Sequence, residues 1–138
     1  MLHDQAYGLT KDSVDKRTGE AVAIKVVEIE GANDDVREII EEISILAGLH
    51  SSHVTKYYGS YLKGSDLWII MEYCGGGSCA DMLDSGPIPE EYISIIMKEL
   101  LLGLDYLHTD KKLHRDIKGW TLQAQTDVIT VLRLIVLI

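Results

Sequence analysis

Leu113-His114-Arg115-Asp116-Ile117-Lys118 is the stretch on which the reading of this sequence turns. It follows a helical segment closing on Leu107-His108, and it gathers a guanidinium, a carboxylate and an ammonium into one short loop. Such a cluster suits phosphoryl transfer. An Asp there orients an incoming hydroxyl and accepts its proton, while a Lys two residues on meets phosphate charge. A charged triplet by itself suits a solvated turn equally well, so the flanking sequence has to decide.

Immediately upstream, Pro89-Glu90-Glu91 opens a long helix, with Pro and acids in its first turn. Tyr92, Ile93, Ile96, Met97, Leu100, Leu101, Leu104 and Leu107 are nearly continuous around it, which predicts burial on most sides. Further back, Val54–Leu62 and Asp66–Tyr73 read as strands joined by the hairpin loop Lys63-Gly64-Ser65. The second run ends in Glu72-Tyr73-Cys74-Gly75-Gly76-Gly77-Ser78. No Lys-Ser/Thr pair opening a helix follows these glycines, so they read as a flexible connector between two lobes rather than a phosphate-binding loop.

Residues 34–49 form an amphipathic helix in which Val36, Ile39, Ile40, Ile43 and Leu46 fall at helical spacing, with Asn33 or Asp34 as N-cap and Gly48 near the end. Before it, Ala21-Val22-Ala23-Ile24-Lys25-Val26-Val27 is a buried strand entered from a turn at Arg17-Thr18-Gly19-Glu20. An ammonium inside such a run demands an anion, so Lys25 is expected to face a carboxylate or a phosphate. Glu42, beside the apolar stripe of the helix, is placed to turn toward it, whereas Glu38 and Glu41 read as a solvated face. Snorkelling of Lys25 at the strand end is the competing reading.

The bounds agree with one globular domain. At 138 residues, 46% apolar and 25% charged, the chain is of ordinary composition. A net charge of -9 argues against a sequence-independent nucleic-acid binder, which needs a basic stripe. The N-terminal residues lack the basic and apolar regions of a signal peptide, so a cytoplasmic location is expected. Cys74 and Cys79 fit neither a zinc pattern nor a redox pair and are expected to be reduced structural thiols.

Taken in order, Ala21-Val22-Ala23-Ile24-Lys25, the helix carrying Glu42, the strand ending Met71-Glu72-Tyr73, then Tyr106-Leu107-His108 and His114-Arg115-Asp116-Ile117-Lys118 resemble a eukaryotic protein kinase. The resemblance covers about residues 6–118. It is strongest to serine/threonine kinases of the sterile-twenty group, germinal-centre subgroup, through residues 54–65 and 67–73. It implies an α+β, incomplete protein-kinase-like fold: an N-lobe at 1–73 with a small antiparallel sheet and helix C, a hinge at 74–78, the first helices of the C-lobe at 79–118, and a divergent apolar tail at 119–138. The implied function is transfer of the γ-phosphate of ATP to protein Ser/Thr. A non-catalytic pseudokinase-like binding module, or an unstable fragment, is the alternative.

Position by position, the resemblance makes Asp116 the catalytic base and Lys118 a γ-phosphate contact. Lys25 would meet the α- and β-phosphates and pair with Glu42. Ala23 would roof the adenine, Met71 would be the gatekeeper, and the backbones of Glu72 and Cys74 would read the adenine edge. Gly8, at the tip of the phosphate loop, and Ser78, at the end of the hinge, complete the implied ATP-binding set. Leu46 and His114 would belong to an apolar spine. Implied partners are ATP with Mg2+ and a protein substrate or scaffold partner, with no nucleic acid and no membrane.

The departures are as specific as the matches. Counted back from Lys25, the glycine-rich loop falls on His3, Gln5 and Gly8, so only Tyr7-Gly8 agrees; Thr10 replaces the loop Val, and the first strand is lost. The magnesium-binding Asn falls on Thr121 and the Leu beneath the adenine on Gln123, and the 138 residues contain no Asp-Phe-Gly. The protein ligands for magnesium are therefore missing, and impaired transfer is expected. The apolar run 128–138 is too short to span a bilayer. It is expected to be an unselected tail from a truncated transcript or gene model, with a strand packed on the C-lobe helix as the competing reading.

Overall fold

The computed structural model describes residues 4–5, 8–29, 35–119, 122–124 and 132–134. Its backbone divides into two compact units, one built from Met1–Leu49 with Lys56–Tyr73, the other from His50–Thr55 with Cys74–Leu137.

The first unit is an antiparallel sheet with one helix. Its strands are β1 (Asp4–Gln5), β2 (Gly8–Val14), β3 (Ala21–Glu28), β4 (Tyr57–Lys63) and β5 (Asp66–Glu72), in the order β1-β2-β3-β5-β4, and α1 (Asp35–Ala47) joins β3 to β4 in the chain. Local chemistry sets the turns. Asp15 Oδ1 accepts the N–H groups of Arg17 and Thr18, and Gly19 takes φ +77° to bring the chain back into β3. Lys63 pairs with Asp66 across the two-residue turn Gly64-Ser65, where Gly64 takes φ +65°. The β-branched run of β3 lies between β2 and β5, where Val22 is buried and Ile69 of β5 is wholly so. The expected loss of the first strand does not hold, because Asp4 and Gln5 pair with Leu9 and Gly8. The expected N-cap at Asn33 or Asp34 lies outside the described residues.

The strand expected to begin at Val54 begins at Tyr57. Residues 53–55 are taken up elsewhere, in backbone bonds within the second unit.

That unit contains α2 (Cys79–Leu83), α3 (Glu90–Thr109), β6 (Leu122–Ala124) and β7 (Leu132–Leu134), with Leu122 opposite Leu134 and Ala124 opposite Leu132. The described parts of the tail are thus a hairpin. Leu122, Ala124 and Leu134 are buried together with Val54 and Leu107. Gly103 permits close packing of α3, since a Cβ there would sit 3.3 Å from both the His53 carbonyl and the Leu134 side chain. One expectation fails. On α3 only Gly103 and Leu107 are buried, while Ile93, Met97 and Leu101 are exposed. Among the described residues, the segment 50–55 and β7 engage one face of the helix and leave the opposite stripe in solvent.

Candidate active site

In the second unit, α3 ends at Asp110, and Lys111 reverses the chain at φ +57°. The Lys112 N–H then donates to the Leu107 carbonyl at 2.8 Å, and the Lys112 ammonium pairs with the Asp110 carboxylate. This closure delivers the chain into residues 113–118. His114 is buried, and its Nδ1 accepts the Asp116 N–H at 3.3 Å, which leaves the proton of a neutral ring on Nε2. Between them, Arg115 holds φ +65°, a left-handed conformation costing a residue with a Cβ about 1–2 kcal/mol. Asp116 Oδ2 lies 2.9 Å from Lys118 Nζ, with both side chains about half exposed. An ion pair so open contributes little stability, at most about 1 kcal/mol. Its chemistry matters more: an acceptor for a hydroxyl proton stands beside a cation, both reachable from solvent. The loop ends against α2, where the Ala80 N–H donates to the Gly119 carbonyl at 3.1 Å.

The glycine connector belongs to this unit too. Cys74 and Cys79 are buried thiols outside any disulfide, and burial raises the Cys79 pKa. Ser78 caps α2. Its hydroxyl accepts the Asp81 N–H at 3.0 Å and donates to Asp81 Oδ2 at 2.7 Å, and its own N–H donates to the same oxygen at 2.7 Å. The Ser78 hydroxyl, placed by resemblance in an ATP-binding set, is thus engaged in a capping box. Neither α2 nor this box is announced by apolar spacing, although Ser78-x-x-Asp81 carries the capping pattern that could have found them.

In the first unit, β3 sets Lys25 opposite Ile69 and Thr10, 9% exposed, and sets Ala23 opposite Met71. Val22 faces Glu72, whose N–H donates to the Lys56 carbonyl at 2.8 Å while its carboxylate accepts the Lys56 N–H at 3.1 Å. The implied gatekeeper and adenine roof are therefore cross-strand neighbours. Leu46 on α1 is buried. Gly8 lies in β2, whereas Tyr7, Thr121 and the side chain of Glu42 lie outside the described residues, as does the expected pairing of Lys25 with Glu42. Gln123 is half-buried on β6.

For magnesium the donor set does not fit. The 138 residues have no Asp-Phe-Gly, and among the described residues no group of His, Cys, Asp or Glu is arranged to hold a metal ion. Among the described residues, no helix is long and apolar enough to cross a membrane.

Comparison with known proteins places these features in a family. The protein kinase domain family matches residues 5–125. The chain is 45% identical over 128 residues to the serine/threonine-protein kinase cst-1 of Caenorhabditis briggsae, an alignment covering 91% of this chain and 25% of that protein. It therefore spans about a quarter of the length of this curated relative. The α+β arrangement, an antiparallel sheet with few helices, is consistent with part of a kinase-like fold. The chain belongs to the protein kinase domain family.

Proposed function

We propose that this chain is part of a serine/threonine protein kinase of the sterile-twenty group, germinal-centre subgroup, that binds ATP and carries the catalytic base for transfer to protein Ser/Thr. The observation that carries the reading is the pairing of Asp116 and Lys118 at 2.9 Å on the loop that follows α3. In this reading residues 1–73 are the N-lobe, 74–78 the hinge, 79–118 the start of the C-lobe and 119–138 a divergent segment. Lys25 takes the α- and β-phosphates with Glu42 as its partner, Ala23 and Met71 bound the adenine, and Glu72 and Cys74 read its edge through their backbones. Gly8 and Ser78 complete the ATP-binding set. Asp116 takes the proton of the substrate hydroxyl and Lys118 steadies the moving phosphoryl charge. Partners are ATP and a protein substrate, in the cytoplasm.

Transfer by these 138 residues is impaired. Each preorganised charge contact missing from a phosphoryl-transfer site costs on the order of 3 kcal/mol, a hundredfold or more in rate. Both magnesium ligands and most of the glycine-rich loop are absent from the chain. This favours a second reading, a module that holds nucleotide and binds a scaffold partner without transferring phosphate.

Thermal unfolding with and without excess Mg-ATP, beside Lys25→Met, tests the nucleotide site. Saturation at a hundred times the dissociation constant adds about 2.7 kcal/mol, an upward shift of several degrees that the variant should lack. Equal behaviour of the two chains refutes the assignment of Lys25. Phosphate transfer at ordinary kinase rates, abolished by Asp116→Asn, would refute the impairment.

A further inference from the structure

Four segments far apart in the chain share one backbone ladder in the second unit. The Gly76 N–H donates to the Ala124 carbonyl at 3.0 Å, the Ala124 N–H donates to the Gly77 carbonyl at 2.9 Å, and Ser78 forms an antiparallel bridge with Gln123. β6 in turn pairs with β7. On the far side of β7, the Leu134 N–H donates to the His53 carbonyl at 2.8 Å and the Thr55 N–H to the Leu134 carbonyl at 3.0 Å. Ala124 and Leu134 are each 1% exposed, so water has poor access to their side of these bonds.

We propose that β6 is a positioning strand for nucleotide recognition, with Ala124 as the positioning residue. Gly75-Gly76-Gly77 has more backbone freedom than any other tripeptide of the chain, because glycine loses the most on being ordered. A run of this kind, untethered, samples many conformations, and ligand affinity falls by the fraction of molecules in the competent one. The two bonds to Ala124 hold the run immediately after Cys74 in one turn, with Gly77 at φ +77°. β6 does this through main-chain groups, which any residue other than proline supplies. The inference rests on the reading that the Cys74 backbone meets the adenine edge.

The test measures amide exchange of Gly76 in the wild-type chain, together with ATP affinity for Ala124→Pro, which removes the N–H donor, and Ala124→Gly, which keeps both bonds. Measurements are made well below the unfolding midpoint, with far-UV circular dichroism matched to wild type. Gly76 is expected to exchange at least about a hundredfold more slowly than an unstructured amide. Ala124→Pro is expected to weaken ATP binding about tenfold or more, and Ala124→Gly less than about threefold. If Ala124→Pro does not fold, saturating ATP must slow Gly76 exchange further in wild type, and an unchanged rate overturns the proposal. ATP bound normally by Ala124→Pro, or by a wild type whose Gly76 is unprotected, overturns the positioning role alone. A wild type that protects Gly76 yet binds no ATP overturns the nucleotide reading and this role with it.

Discussion

Replacing Ser78 by Ala removes the hydroxyl of a side chain that is 1% exposed. Two of the three bonds of the capping box disappear: the one accepted from the Asp81 N–H at 3.0 Å and the one given to Asp81 Oδ2 at 2.7 Å. The bond from the Ser78 N–H to the same carboxylate oxygen survives. Loss of a Ser cap costs about 0.5–2 kcal/mol in general, with exposed helices at the low end. Here the half-buried Asp81 N–H also loses its acceptor, which by itself costs about 1–3 kcal/mol. The expected loss is therefore about 2 kcal/mol. Urea unfolding followed by far-UV circular dichroism, at constant m, measures it. A cycle with Asp81→Ala isolates the pair and should return a coupling of about 1–2 kcal/mol. A coupling near zero, or a loss below about 0.5 kcal/mol for Ser78→Ala, would refute the reasoning.

Two further outcomes follow from the packing. Burial raises the Cys79 pKa, so the folded state holds its thiol proton more tightly than the unfolded chain. Its contribution to stability is complete below the unfolded thiol value of about 8.5 and fades as pH rises through the higher folded value; alkaline urea titrations should show this slope, reduced in Cys79→Ala. Gly103→Ala sets a helix-propensity gain of about 1 kcal/mol against a Cβ 3.3 Å from the His53 carbonyl and from Leu134. The backbone contact cannot swing away, so a net loss of about 1–2 kcal/mol is expected in a thermal scan, and a stabilised variant would show that α3 is free to shift.

The elements with local signals were legible. Apolar β-branched runs gave β3 and β5, Gly64-Ser65 marked the β4–β5 hairpin, 3.6-residue spacing marked α1 and α3, and Pro89 marked the start of α3 at its N-cap. The order of Lys25, Met71 and Asp116, each with its flanking residues, was enough to point to the family. Short elements are less visible in the sequence: five helical residues carry too few apolar positions to establish a period, so only its capping residues mark α2. β4 starts later than its strand-like chemistry suggests, because Val54 and Thr55 spend their backbone on Leu134.

What the sequence alone determined is therefore the set of long elements, their order and the identity of the charged loop. Those properties depend on residues within one or two turns of each other, where side-chain period and turn chemistry act directly. Only the tertiary structure decided that the stretch around Leu122 and Leu134 is a buried hairpin, that it grips Gly76 and Gly77 on one side and residues 53–55 on the other, and that one stripe of α3 stays in solvent. Main-chain hydrogen bonds between segments tens of residues apart are made by groups common to nearly every residue, so no side-chain pattern announces them.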